Sequence, residues 1–167
     1  MTPPRQPGAS RARPEWQPEG EAFWWARQEQ LHLPTYGDQL TRAEVLFMER
    51  FETLGHRAEW IPKTRAAKTP DFYWTTLDGR PWDIKSPSLD GWDTMTPKQQ
   101  YKRIAGRISE DAPFKKRVVV DLSRELLLEG LAWELSQYNE WHRNAPDHQV
   151  MQIVVLSRAG LYTVGLT

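Results

Sequence analysis

Apolar positions along the chain repeat with two different periods, and each period predicts a different kind of element. Over 41–54 (TRAEVLFMERFETL) they recur at helical spacing, and Gly55 supplies a C-terminal stop. Residues 56–62 (HRAEWIP), 70–75 and 80–85 read as three strands. The last two are joined through Leu77, Asp78 and Gly79, whose Asp-Gly pair favours a hairpin turn. A helix is expected over 97–110: Thr96 can cap it, Pro97 suits its first position, and Tyr101, Ile104, Ala105 and Ile108 make one apolar face. The continuous apolar run 117–123 (RVVVDLS) fits a central strand buried on both faces. A helix near 124–139 and strands near 150–156 and 161–165 complete the pattern. The order αβββαβ, with a trailing helix and strands, predicts an α/β fold in which helices pack on a mixed sheet.

The N-terminal part reads differently. Five of the thirteen prolines lie within the first eighteen residues, mixed with Arg, Gly and Ser. Such a composition buries too little apolar area to offset its ordering entropy. A flexible Pro/Arg-rich tail is therefore expected over 1–30, with Trp24 and Trp25 suited to begin a docking element, and one domain over 31–167. The 167 residues suffice for one core. Without cysteine, disulfides, thiol nucleophiles and Fe–S clusters are excluded. No apolar run approaches the ~20 residues of a membrane span, and the N-terminus lacks a signal-peptide core. The expected place of action is the cytoplasm, with any export left to a separate delivery system.

Candidate chemistry lies around the predicted hairpin. Asp71 opens one strand, while Asp83 and Lys85 lie two apart on its partner and so point to one face. Asp71 and Asp83, with the Ile84 carbonyl, can hold a hard divalent cation. Lys85 beside that ion can orient or deprotonate a water, or stabilise negative charge developing on phosphorus. Of the seven lysines, Lys85 alone has an acidic residue two positions earlier. The alternative is an Asp83–Lys85 salt bridge with Asp71 capping its strand. Glu44 falls inside the apolar face of its helix, between Phe47, Met48 and Phe51, where a carboxylate needs a metal, a cation or hydrogen-bond donors. Thr41 and Glu44 also have capping-box spacing, and Leu40 with Val45 would form a hydrophobic staple, so both readings stand.

These residues, a helix Glu, then Pro-Asp, then Asp-x-Lys on αβββαβ, resemble the PD-(D/E)xK nuclease superfamily with its restriction-endonuclease-like fold. The segments TPDFYW, PWDIKSPS, DTMTPKQQYKRI and RVVVDLS are similar to the C-terminal tRNA nuclease domain of contact-dependent growth inhibition toxins. The resemblance spans about residues 40–123. It implies a metal-dependent endoribonuclease that cleaves tRNA as a monomer, with Mg²⁺ (or Mn²⁺ or another divalent cation) as cofactor and a cognate immunity protein as partner. Asp71 and Asp83 would be metal ligands, Lys85 would assist the attacking water, and Glu44 would complete the metal site through water. Position 83 is Asp where this toxin group more often has Glu, and the family's Thr would be Thr94 or Thr96.

Equal totals of 22 basic and 22 acidic residues hide an uneven distribution. Residues 63–117 carry twelve Lys or Arg against seven acidic residues, and 118–167 carry three against six. Lys98, Lys102, Arg103 and Arg107 on the predicted helix, Lys115, Lys116 and Arg117 after it, and Lys63, Arg65 and Lys68 before Asp71 are candidate phosphate contacts. Trp74, Trp82 and Trp92 are candidates for base stacking, with Trp82 expected to pack in the core. His142, Asn144 and His148 have the residue types of an HNH nuclease at compressed spacing, with Pro146 between them. The rival functions are a DNA endonuclease of the same superfamily and a non-catalytic interaction module. Asp83→Ala is expected to abolish cleavage with little loss of folding, and Arg103→Ala to weaken RNA binding.

Overall fold

Helix starts and stops follow the local signals closely. In α2 (Arg42–Thr53), Thr41 Oγ1 accepts from the Glu44 backbone N–H while Glu44 Oε1 accepts from the Thr41 N–H at 2.8 Å, a complete capping box. Leu40 and Val45, which flank it as the staple pair, are fully buried. At the other end Gly55 sits at φ 86°, with His56 N–H on the Phe51 carbonyl and Gly55 N–H on the Glu52 carbonyl. That paired pattern is a Schellman motif, and it needs the left-handed conformation glycine adopts without strain.

The computed structural model describes residues 20–63 and 68–167. The described residues divide into two compact units, 20–63 with 71–81 and 68–70 with 82–167. Residues 1–19 of the expected tail, and Arg65, lie outside the described residues.

The first unit contains α1 (Glu21–Gln30), α2, β1 (Ala58–Trp60) and β2 (Phe72–Trp74), the strands pairing antiparallel with Glu59 opposite Tyr73. Its core is aromatic: Phe51 stacks on Phe47 at 5.4 Å and meets Trp74 edge-on at 4.8 Å. His56 accepts a hydrogen bond from Trp74 Nε1 at 3.1 Å. Helix α1 falls inside the stretch expected as a tail, and its Trp24 and Trp25, expected to begin a docking element, are buried. Buried Gln28 fixes the helix by accepting from Leu40 N–H and donating to the Asp38 carbonyl. The turn after β2 closes with Gly79 at φ 66°, its N–H on the Trp74 carbonyl.

The second unit is built on a mixed sheet. β3 (Pro81–Lys85) runs parallel to β4 (Arg117–Asp121), β4 parallel to β5 (Gln152–Ser157), and β5 antiparallel to β6 (Gly160–Thr163). Helix α3 (Pro97–Asp111) connects β3 to β4, and α4 (Glu129–Ser136) with α5 (Tyr138–Trp141) connects β4 to β5. The predicted stripe Tyr101, Ile104, Ala105 and Ile108 is buried against Val118, Val120, Ile153 and Val155. The helix expected near 124–139 begins only at Glu129. Ser123 takes a left-handed φ of 53°, its N–H bonded to Asp121 Oδ1, and Arg158 binds the carbonyls of Arg124 and Glu125. Those groups are thereby withdrawn from helix formation. Among the described residues no helix is long and apolar enough to cross a membrane.

Gly130 marks where α4 crosses α3. A Cβ there would lie 2.8 Å from Pro97 Cγ and 3.1 Å from Pro97 Cβ, atoms of a ring that cannot swing aside. Gly→Ala inside a helix ordinarily stabilises by about 1 kcal/mol. Here overpacking reverses the sign, and Gly130→Ala should lower stability by about 1–3 kcal/mol in urea unfolding.

Candidate functional site

Asp83 and Lys85 share one face of β3, and in the register they stand beside Val118 and Val120, which belong to the core under α3. Helix α3 returns the chain to the start of β4, so its C-terminus and the turn after it meet that face. Asp111, the last residue of α3, and Lys115, two residues before β4, therefore converge on the Asp83–Lys85 pair. Lys85 Nζ lies 3.0 Å from Asp83 Oδ2 and donates a short hydrogen bond to Asp111 Oδ2. Lys115 Nζ lies 3.0 Å from Asp83 Oδ1 and 3.8 Å from Asp111 Oδ2, and Lys68 Nζ is 2.7 Å from Asp111 Oδ1.

Burial gives these contacts weight. Asp83 is 1% exposed and Lys85 7% exposed, and a charge so withdrawn from water persists only when paired. Burial works to lower the Lys85 pKa, but the Asp111 hydrogen bond and the Asp83 charge outweigh it and leave it raised. Burial likewise pushes the Asp111 carboxyl up, yet hydrogen bonds from Lys68 and Lys85 and the nearby Lys115 charge bring it down to about 2. Lys85 and Asp111 are thus held ionised at neutral pH. The three lysines against two aspartates leave one positive charge among them.

The salt bridge weighed as an alternative for Asp83 and Lys85 is present, within a larger network. The pairing corrects one expectation. Removing Asp83 takes a counter-ion from two ammoniums, so Asp83→Ala cannot be mild for folding. Asp71 and Glu44 belong to the first unit. Asp71 is buried at the entry to β2, its Oδ1 2.7 Å from Lys63 Nζ. Glu44 is half-buried and serves the capping box. Asp111 was missed in the sequence, although an aspartate at a helix C-terminus, where the macrodipole disfavours it, followed at i+4 by a lysine, was a legible signal.

The expected phosphate contacts divide into two groups. Lys98, Lys102 and Arg107 are exposed on α3. Arg103 instead donates to the carbonyls of Ser88 and Asp90 at 2.7 and 2.9 Å, pinning the loop before α3. Lys116 donates to the carbonyls of Asp147 and Gln149, and Arg117 to Gln152. Thr94 Oγ1 donates to the Gly91 carbonyl and closes the 3₁₀ turn Trp92–Thr94, while Thr96 caps α3. Trp74 and Trp92 are buried, which corrects the stacking role suggested for them, and Trp82 packs in the core as expected. Arg103→Ala should speed amide hydrogen exchange across residues 88–94 by about tenfold or more, the ratio expected for losing a charge-assisted pair of hydrogen bonds.

His142 and His148 bind the carbonyls of Tyr138 and Ser109 through Nδ1, with ring centroids 6.5 Å apart. Among the described residues no group of three or more His, Asp or Glu side chains is gathered to hold a metal. The donor chemistry of Asp83 is nonetheless that of a hard cation site. Its two carboxylate oxygens each accept a cation already, and Lys115 stands as one between Asp83 and Asp111.

No family model and no curated protein matches this chain. Among solved structures it is distantly similar to the CdiA-CT/CdiI toxin and immunity complex from Burkholderia pseudomallei, at 13% identity and a TM-score of 0.48, over 79% of this chain and 97% of that chain.

Proposed function

We propose that this protein is a metal-dependent endoribonuclease of PD-(D/E)xK type, with a restriction-endonuclease-like fold, that hydrolyses phosphodiester bonds in tRNA as a toxin domain. The observation that carries the reading is the buried cluster around Asp83 and Lys85, whose surplus of ammonium charge suits a phosphate. The choice of tRNA, and of an immunity protein as partner, comes from the resemblance of the TPDFYW, PWDIKSPS and RVVVDLS segments.

Because its pKa is raised, Lys85 stays protonated at neutral pH. Its role in this reading is to stabilise negative charge at the scissile phosphate, and removing a proton from water falls to another group. Asp83 and the Ile84 carbonyl would be the second unit's donors to the Mg²⁺ the resemblance implies; the ligand roles of Asp71 and Glu44 rest on that resemblance alone, since Asp71 pairs with Lys63 and Glu44 serves the capping box. When bound, the ion would supply Lewis-acid stabilisation of the phosphate and lower the pKa of a bound water. Lys98, Lys102 and Arg107 would meet the RNA backbone, each adding salt-dependent affinity.

Incubation with total tRNA and, separately, plasmid DNA tests the substrate class. Discrete tRNA fragments that appear with Mg²⁺ and disappear with EDTA are the expected result. Cleavage of DNA alone would move the function to DNA processing, and cleavage of neither would favour a binding module.

A further inference from the structure

The cluster contains a carboxylate in a seat built for an anion. Asp111 ends α3, where the helix dipole disfavours negative charge, and it is held there by ammoniums on three sides. Lys68 Nζ lies 2.7 Å from Oδ1, Lys115 Nζ lies 3.8 Å from Oδ2, and Lys85 donates to Oδ2. The Lys85 side chain is only 9% exposed, and Asp83 fixes both Lys85 and Lys115 from behind at 3.0 Å. Lys85 and Lys115 thus keep a counter-ion without Asp111. The Asp111 side chain itself is 17% exposed, so it borders solvent. A phosphate presents the same acceptor chemistry as a carboxylate, with more oxygens to share among three ammoniums.

We propose that Lys68, Lys85 and Lys115 form a phosphate-binding seat, and that Asp111 is its resident stand-in, displaced when a phosphate group enters. The inference deepens the phosphodiester reading and rests on it for the source of the phosphate, the backbone of RNA. Asp111 then acts as an internal competitor. It offsets the lysines' charge in the empty protein and weakens the binding of any phosphate by the fraction of time it fills the seat.

The test measures binding, not cleavage. Inorganic phosphate is titrated calorimetrically into the wild-type chain, Asp111→Asn, and Glu110→Gln, the last removing one exposed carboxylate from the neighbouring position. Asp111→Asn should bind phosphate about tenfold more tightly or better, Glu110→Gln should match wild type within about twofold, and adding Lys68→Met to Asp111→Asn should reverse the gain. Equal affinities for wild type and Asp111→Asn, or the same gain in Glu110→Gln, would overturn the proposal. A second arm replaces phosphate by a short single-stranded RNA. The same ranking assigns the seat to the RNA backbone, whereas a ranking seen with phosphate alone overturns that source.

Should Asp111→Asn fail to fold, the wild-type protein still decides the matter. Phosphate should slow acetylation of Lys68 and leave exposed Lys98 unaffected, and equal rates at both would contradict the seat. Absence of tRNA cleavage with the phosphate ranking intact would remove the nuclease reading and leave this inference standing.

Discussion

Asp83→Ala should lower the free energy of unfolding by about 3–5 kcal/mol, the range found when one partner of a buried ion pair is deleted. Asp83 is 1% exposed and holds Lys85 and Lys115 at 3.0 Å each. Its loss leaves two ammoniums, one of them buried, with Asp111 as their remaining carboxylate within the cluster. The cost is therefore that of orphaned charge rather than of a lost contact. A double variant, Asp83→Ala with Lys115→Met, should recover more than 1 kcal/mol of the loss, because it removes one of the orphans. Urea unfolding of wild type, both singles and the double measures this coupling. Additive losses would show that Asp83 and Lys115 are energetically independent.

The second large effect is loss of stability in acid. The Asp111 carboxyl titrates at about 2 in the folded chain against an ordinary 3.8. A depressed folded pKa contributes stability that is fully present above the unfolded value and is lost as pH falls from about 4 toward 2. At 1.36 kcal/mol per pKa unit the contribution is about 2 kcal/mol. Wild type and Asp111→Asn should thus differ in stability at pH 7 and converge near pH 2. A constant difference across that window would show that the lysines do not hold the carboxyl. At high pH the sign is opposite. Lys85 is raised, and Tyr101 is pushed to about 12 by burial and then by the Glu134 charge, so both withdraw stability as pH climbs above about 10.

Much of this arrangement was legible because local signals agreed with the fold. The capping boxes at Thr41 and Thr96, the stop at Gly55, the turn at Gly79 and the apolar stripe of α3 all act over a few residues, and tertiary packing reinforces them. Asp83 and Lys85 were found because strand alternation alone places them on one face. What could not be read were the partners brought by a crossover. Asp111 is 26 residues beyond Lys85 and Lys115 is 32 beyond Asp83, and their approach depends on where α3 delivers the chain to β4. The length of α1 was obscured by the proline-rich stretch before it, since its buried side rests on Trp24, Trp25 and a polar Gln28 instead of an aliphatic stripe. The helix expected over 124–128 was lost to Arg158, a cation 34 residues away that claims the Arg124 carbonyl.

The basic residues give the same lesson in reverse. Arg103, Lys116 and Arg117 looked like phosphate contacts, but each is taken up by a carbonyl or amide oxygen of its own chain. A lysine or arginine beside a site in sequence can serve the fold or the ligand. Only contacts across the sheet separate Lys68 and Lys115, which join the cluster, from Lys116 and Arg117, which do not.

The central claim is that Lys85, held protonated between Asp83 and Asp111, stabilises charge on an RNA phosphate. Its most direct test is single-turnover cleavage of total tRNA with Mg²⁺ by wild type and Lys85→Met, with folding of both verified by near-UV circular dichroism. Folded Lys85→Met should still bind tRNA but cleave it at least about 10²-fold more slowly, the usual effect of removing one charge-stabilising donor. Cleavage at the wild-type rate by folded Lys85→Met would contradict it.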